Sequence, residues 1–324
     1  MPDTATLDPI IRAGFTPCSL GTWPTPLEGA PALAAELGLA ELWLKREDRS
    51  SPRYGGSKVR GLEFLLAGAR PGEACVTIGG TGSTHCLATA VHSRAVGLRT
   101  VLAQFPQPDT DLARATARAA SGYADVVIRS ASRAGFPLAL LRAWVAAGRL
   151  GRRRWIPGGG AHPRGVLGQL LGTLELADQT PGPPDAIVLP LGSGGTAAGV
   201  ALGLSALGWQ TRVIAVRVAP RIAANAWRVA WLAHATRRLL ADRHIPLPTP
   251  HAVTVVDGVG GGYGHPTIAG EAARTLAARH GLTLDSTYGA KAFAALRRPP
   301  VRNCRRIVFW HTFAEPPLVP EGGA

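Results

Sequence analysis

The polar and apolar positions of this chain change period repeatedly, between the alternation of a strand and the three-to-four step of a helix. An extended proline segment, Thr22-Trp-Pro-Thr-Pro-Leu27, precedes Ala32-Leu-Ala-Ala-Glu-Leu-Gly38, which predicts a helix stopped by glycine. Glu41-Leu-Trp-Leu-Lys-Arg46 then alternates as a strand does. A glycine turn follows at Arg53-Tyr-Gly-Gly-Ser-Lys-Val-Arg60, and Leu62, Phe64, Leu65 and Leu66 predict the helix that fixes it. Ala74 to Gly80 predicts a buried strand, Ser83 to Val96 a helix and Leu98 to Ala103 a further strand, together a β-loop-α-β unit. Such units bind ligands at the C-terminal ends of their strands.

Residues 107 to 150 read as helical and rich in arginine, with a short strand at Ala124 to Arg129 and no constellation that carries chemistry. Trp155-Ile-Pro-Gly-Gly-Gly160 is a second glycine turn, leading into a helix from Gly165 to Leu176. Ala186 to Leu191 predicts a buried strand, followed by Gly192-Ser-Gly-Gly-Thr-Ala-Ala-Gly199, a helix to Leu207 and a strand from Arg212 to Val218. Strands and helices in this order predict an α/β protein, and 324 residues exceed what one core usually serves.

Composition narrows the chemistry. The formal net charge of +14 points toward nucleic acid. The arginines, however, run from Arg12 to Arg306 with no dense stretch beyond Arg152-Arg-Arg154, and no aromatic residues interleave with them. A solvated basic surface is therefore expected. Cys18, Cys75, Cys86 and Cys304 have no paired spacing, which favours reduced thiols over zinc or disulfides. The N-terminus lacks a basic start and an apolar stretch, and no apolar run reaches about 18 residues. A cytoplasmic protein is expected.

Only Lys45, Lys58 and Lys291 are lysines among 35 basic residues. Lys45 sits among charges suited to ion pairs, and Lys291 lies in an alanine-rich helix where an exposed lysine is unremarkable. Lys58 alone stands at a glycine turn. A solvated loop lysine is the ordinary reading of such a residue, but a lysine held there can act as a nucleophile if an apolar or cationic setting lowers its pKa; Arg53 and Arg60 are the cationic candidates. The 192–199 turn would offer a phosphate its backbone N–H groups and the hydroxyls of Ser193 and Thr196. It also fits a dinucleotide fingerprint, except that Arg217 stands where an acid is needed.

The order of these features resembles that of the fold type II pyridoxal-phosphate enzymes. Within them, Lys45-Arg-Glu-Asp48, Gly55-Gly-Ser-Lys-Val-Arg-Gly-Leu-Glu63, Ile78-Gly-Gly-Thr-Gly-Ser-Thr-His85, Tyr263-Gly-His-Pro266, Leu284-Asp-Ser-Thr-Tyr-Gly-Ala-Lys291 and Phe309-Trp-His-Thr312 resemble the 1-aminocyclopropane-1-carboxylate deaminase and D-cysteine desulfhydrase family. The resemblance implies a doubly wound, tryptophan synthase beta-like fold of two open, twisted, mostly parallel sheets. It implies a large domain from residues 1–51 and 161–324, a small one from 52–160, and a homodimer. It also implies pyridoxal 5'-phosphate as cofactor, with Lys58 as its Schiff-base lysine and Ser193, Gly194, Gly195 and Thr196 around its phosphate. Ser83 would hold the substrate carboxylate, and Tyr263 and Tyr288 would flank the substrate.

The chain departs from the family pattern at several of these positions. Ser57 and Thr84 replace asparagines beside the cofactor ring, and Gly289 stands where deaminases carry a glutamate toward the pyridine nitrogen. Thr312 sides with the desulfhydrases, and Phe313-Ala314 replaces a glycine pair. The expected activity is β-elimination from a small, D-cysteine-like amino acid to a 2-oxo acid and ammonia. Cyclopropane ring opening, β-replacement or racemisation, and a cofactor-free binding role are the alternatives.

Overall fold

The computed structural model describes residues 4–313 and 315. In chain order its elements begin with α1 (Thr4–Phe15), β1 (Leu27–Gly29), α2 (Pro31–Leu37), β2 (Glu41–Arg46), α3 (Lys58–Leu65), β3 (Ala74–Gly80) and α4 (Thr84–Ala95). They continue with β4 (Arg99–Phe105), α5 (Asp111–Tyr123), β5 (Val126–Arg129), α6 (Phe136–Leu150), β6 (Arg153–Ile156), α7 (Pro163–Gln179), β7 (Ala186–Leu191) and α8 (Gly195–Leu207). The rest are β8 (Arg212–Arg217), α9 (Ala226–Ala241), β9 (Val253–Asp257), α10 (Ile268–Arg279), α11 (Gly289–Ala294) and β10 (Arg306–His311).

The strands form two sheets. One has six strands in the order β1-β2-β10-β7-β8-β9, and the other has four in the order β5-β4-β3-β6. All pairings are parallel except that of β1 with β2. Parallel sheets covered by helices on both faces bury every position of a central strand, and all six residues of β7 are buried. β10 lies between β2 and β7, where Phe309 is opposite Leu44 on one side and Val188 on the other.

Differences from the sequence expectation are local. α3 begins at Lys58 itself, four residues earlier than its first apolar anchor, because Val59 and Arg60 are also buried. α7 runs longer than predicted at both ends; His162 caps it, with Nδ1 accepting from the Arg164 N–H at 3.1 Å, ahead of a proline in the first turn.

A buried polar network ties α3 to the six-stranded sheet. The Arg60 guanidinium donates to Glu47 at 2.7 Å and to Glu175 of α7 at 2.8 Å, and its plane lies 3.9 Å from the Trp23 ring centroid. Lys45 also binds Glu175, so it does enter an ion pair, though not with its sequence neighbours. None of the helices among the described residues is long and apolar enough to cross a membrane.

Candidate active site

The C-terminal ends of β3, β7 and β10 open onto one cavity of about 470 Å³. Lys58 reaches it from the first turn of α3, and its ammonium donates to the carbonyl of Gly159 at 3.1 Å. Burial pushes the Lys58 amine down to about 8. The cationic help expected from Arg53 and Arg60 is absent: Arg53 is exposed, and Arg60 is consumed by Glu47 and Glu175. Desolvation alone does the work. Gly55 lines the cavity while packing closely against protein, since a Cβ there would stand 1.9 Å from the Asp48 carbonyl oxygen.

The turn after β7 supplies a cradle of N–H groups. Gly194, at φ +93°, adopts a left-handed conformation that favours glycine, and α8 starts with no side-chain cap. By contrast α4, α5, α9 and α10 are each closed by a Ser, Thr or Asn side chain. The orphan donors of α8 face the cavity together with Ser193 and Thr196. Ser193 donates to the Gly159 carbonyl at 3.3 Å, and Arg228 of α9 holds the Ser193 carbonyl at 3.1 Å. The same Gly159 oxygen thus joins the lysine to the turn.

On the opposing sheet, Ser83 caps α4 by accepting from the Cys86 N–H at 3.3 Å, and Ser83, Thr84 and His85 line the cavity. His85 is buried, with Nε2 at 2.8 Å from the Thr77 hydroxyl. Burial first, and Lys58 second, lower it to about 3, so the ring is neutral. Tyr263 and Tyr288 meet through their hydroxyls at 2.6 Å. Burial raises Tyr263 to about 12 and Tyr288 well above its usual value, so both phenols keep their protons. One of the two donates to the other, which leaves one hydroxyl proton for a ligand.

Ser57 and Thr312 also line the cavity, and the Ser57 N–H donates to the Thr312 carbonyl at 3.2 Å. Gly289 does not line it. Its N–H donates to Asp285 Oδ2 at 2.8 Å, while Asp285 Oδ1 accepts from the N–H groups of Thr287 and Tyr288 at 3.0 and 2.6 Å. Lys291 is buried rather than exposed: its ammonium donates to the carbonyls of Val259 and Gly262 at 2.8 and 3.1 Å, pinning the loop that carries Tyr263. The alanine-rich pattern around it hid this, because α11 is short and packed on both sides.

Asp285 and the Gly159 carbonyl were not singled out from sequence. Asp285 stands three residues before Tyr288 in a turn-forming stretch, which is the one local sign of its role as a cap.

A profile of the family described as "Pyridoxal-phosphate dependent enzyme" matches residues 18–312. The chain is 33% identical to the nocardicin C-9' epimerase of Nocardia uniformis subsp. tsuyamanensis, covering 90% of each. It is 30% identical to the D-cysteine desulfhydrase of Klebsiella pneumoniae, covering 91% of this chain and 93% of the relative. It is also 30% identical to a putative 1-aminocyclopropane-1-carboxylate deaminase of Pyrococcus horikoshii, covering 88% and 87%. A crystal structure of an ACC deaminase homologue superposes with a TM-score of 0.82 at 26% identity, covering 96% of this chain and 94% of that one.

Proposed function

The chain belongs to the pyridoxal-phosphate-dependent enzymes, and on that premise we propose that it is a lyase eliminating the β-substituent of a cysteine-like amino acid. Its residues fit the cofactor: a lysine amine depressed to about 8 by burial faces the uncapped N-terminus of α8 across one cavity, ready for an aldehyde and a phosphate respectively. When bound, the cofactor supplies an electron sink for a carbanion at the substrate's α-carbon.

The protein's own part divides among three groups. Ser83 and the first N–H groups of α4 hold the substrate carboxylate, because a helix N-terminus attracts an anion. Lys58, with an amine that loses its proton near neutral pH, takes the α-proton. The paired phenols of Tyr263 and Tyr288 offer their free hydroxyl proton to the departing group. With one water taken up, the products are a 2-oxo acid, ammonia and the protonated leaving group, hydrogen sulfide in the case of cysteine.

The observation that carries this reading is the state of the 285–289 turn. Gly289 brings no carboxylate to the pyridine nitrogen, and both oxygens of Asp285 are occupied by backbone N–H groups. A ring nitrogen given no carboxylate from position 289 would be a weaker electron sink, which suits a reaction whose leaving group carries the electrons away and disfavours opening a cyclopropane. Thr312 in the cavity wall supports the same reading.

A second reading, racemisation, is favoured by the relative named as an epimerase. Holoenzyme assayed with D-cysteine, L-cysteine, β-chloroalanine and 1-aminocyclopropane-1-carboxylate should release 2-oxo acid from the first three only. Turnover of the cyclopropane alone would sink the elimination reading, and exchange of the α-hydrogen with solvent deuterium without product would favour racemisation. Borohydride treatment followed by peptide mapping should place the pyridoxyl label on residue 58.

A further inference from the structure

The outer part of the cavity has no counterpart in the chemistry just described. It is lined by Phe105 at the end of β4, Arg133 and Phe136 at the start of α6, and Pro220, Ile222 and Ala223 in the turn after β8. The two phenylalanine rings meet edge to face with centroids 5.4 Å apart. Ile222 is 91% exposed although it stands in the cavity wall, an arrangement in which a seated ligand would remove apolar surface from water. Arg133 is the sole charged side chain of this set, and a guanidinium lies favourably over an aromatic face. A free cysteine side chain, one carbon and one sulfur long, is too short to use such a wall.

We propose that this outer region is a subsite for an aromatic side-chain substituent. Resting on the elimination reading, the substrate class is then a cysteine whose sulfur carries an aromatic group. The α-proton passes to Lys58, the Cβ–S bond breaks, and the sulfur leaves with the electron pair and takes a proton, departing as an arylalkyl thiol. The three-carbon remainder takes up water and yields a 2-oxo acid and ammonia. The apolar wall receives the leaving group, so discrimination comes from surface removed from water rather than from hydrogen bonds.

The test compares S-benzylcysteine with cysteine of the same configuration on the holoenzyme, with β-chloroalanine as a small reference substrate. The expected result is a kcat/KM at least about tenfold higher for S-benzylcysteine. Phe136→Ala and, on the exposed turn, Ile222→Ser should each lower the ratio of S-benzylcysteine to β-chloroalanine turnover by a comparable factor. Equal or better turnover of cysteine, or a ratio unmoved in both variants, overturns the subsite.

Calorimetry with 3-(benzylthio)propanoate against 3-mercaptopropanoate, neither of which has an amino group to react, decides the matter without catalysis. Tighter binding of the benzyl compound, weakened in the variants, upholds the subsite even if no amino acid is eliminated, in which case only the elimination reading falls. Equal binding of the two overturns the subsite.

Discussion

At the scale of single residues, protonation states follow from burial. The Lys58 amine, at about 8, attacks an aldehyde only when neutral. The rate of cofactor uptake by the apoprotein should therefore rise about tenfold per pH unit up to about 8 and level off above it. Stopped-flow absorbance measures this, and an inflection near the usual lysine value would contradict the account. His85 and His311 are lowered by burial to about 3 and about 4. Their unfolded rings protonate near their usual value of 6.5, while the folded ones stay neutral well below it. Below that pH the unfolded state binds more protons, so stability falls as pH drops, by at most roughly 1.4 kcal/mol per unit for each histidine. The loss should run from about pH 6.5 to about 4 for His311 and on to about 3 for His85. Urea midpoints at several pH values measure the slope, and His311→Gln should flatten it.

Between elements, Lys58, the lysine proposed to hold the cofactor, is placed by contact of α3 with α7. A Cβ at Gly168 would stand 2.0 Å from the Arg60 carbonyl oxygen, so Gly168→Ala must push the two helices apart. Overpacking of this kind destabilises by about 1–3 kcal/mol. The displacement should reach Lys58, two residues from Arg60, and slow cofactor uptake as well as lower the urea midpoint. Lys291→Met should release the 259–262 carbonyls, destabilising by about 1–3 kcal/mol. Because Tyr263 is the next residue, kcat should fall more than KM changes, with the cofactor absorbance unaffected. Such contacts explain what was hidden in the sequence. Gly55-Gly-Ser-Lys58 announces a lysine at a turn, and Gly192 to Gly199 announces a turn ahead of a helix. The Lys58 bond to Gly159 spans 101 positions and the Arg60 bond to Glu175 spans 115, and no local pattern encodes either.

Over the whole molecule, the repeated change of period made the α/β class legible, because a strand buried on both faces must read as a continuous apolar run, as Ala186 to Leu191 does. Strand order was not legible, since any of several parallel arrangements buries the same runs. The cavity draws its wall from both sheets and from segments as distant as Tyr54 and Phe313, so its volume and apolar outer part emerge only once the chain is folded. The position of β10 has a further consequence for how the protein is made. The four strands of the smaller sheet are complete once residue 156 has been synthesised, whereas the larger sheet receives its third strand from residues 306–311. While the ribosome is still adding those residues, β2 and β7 have no shared neighbour, and Thr312 has yet to join the cavity wall. The nascent chain must keep a gap open in the middle of its larger sheet until residues 306–311 have been made, and the cavity that takes the cofactor is walled only once Thr312 and Phe313 follow them.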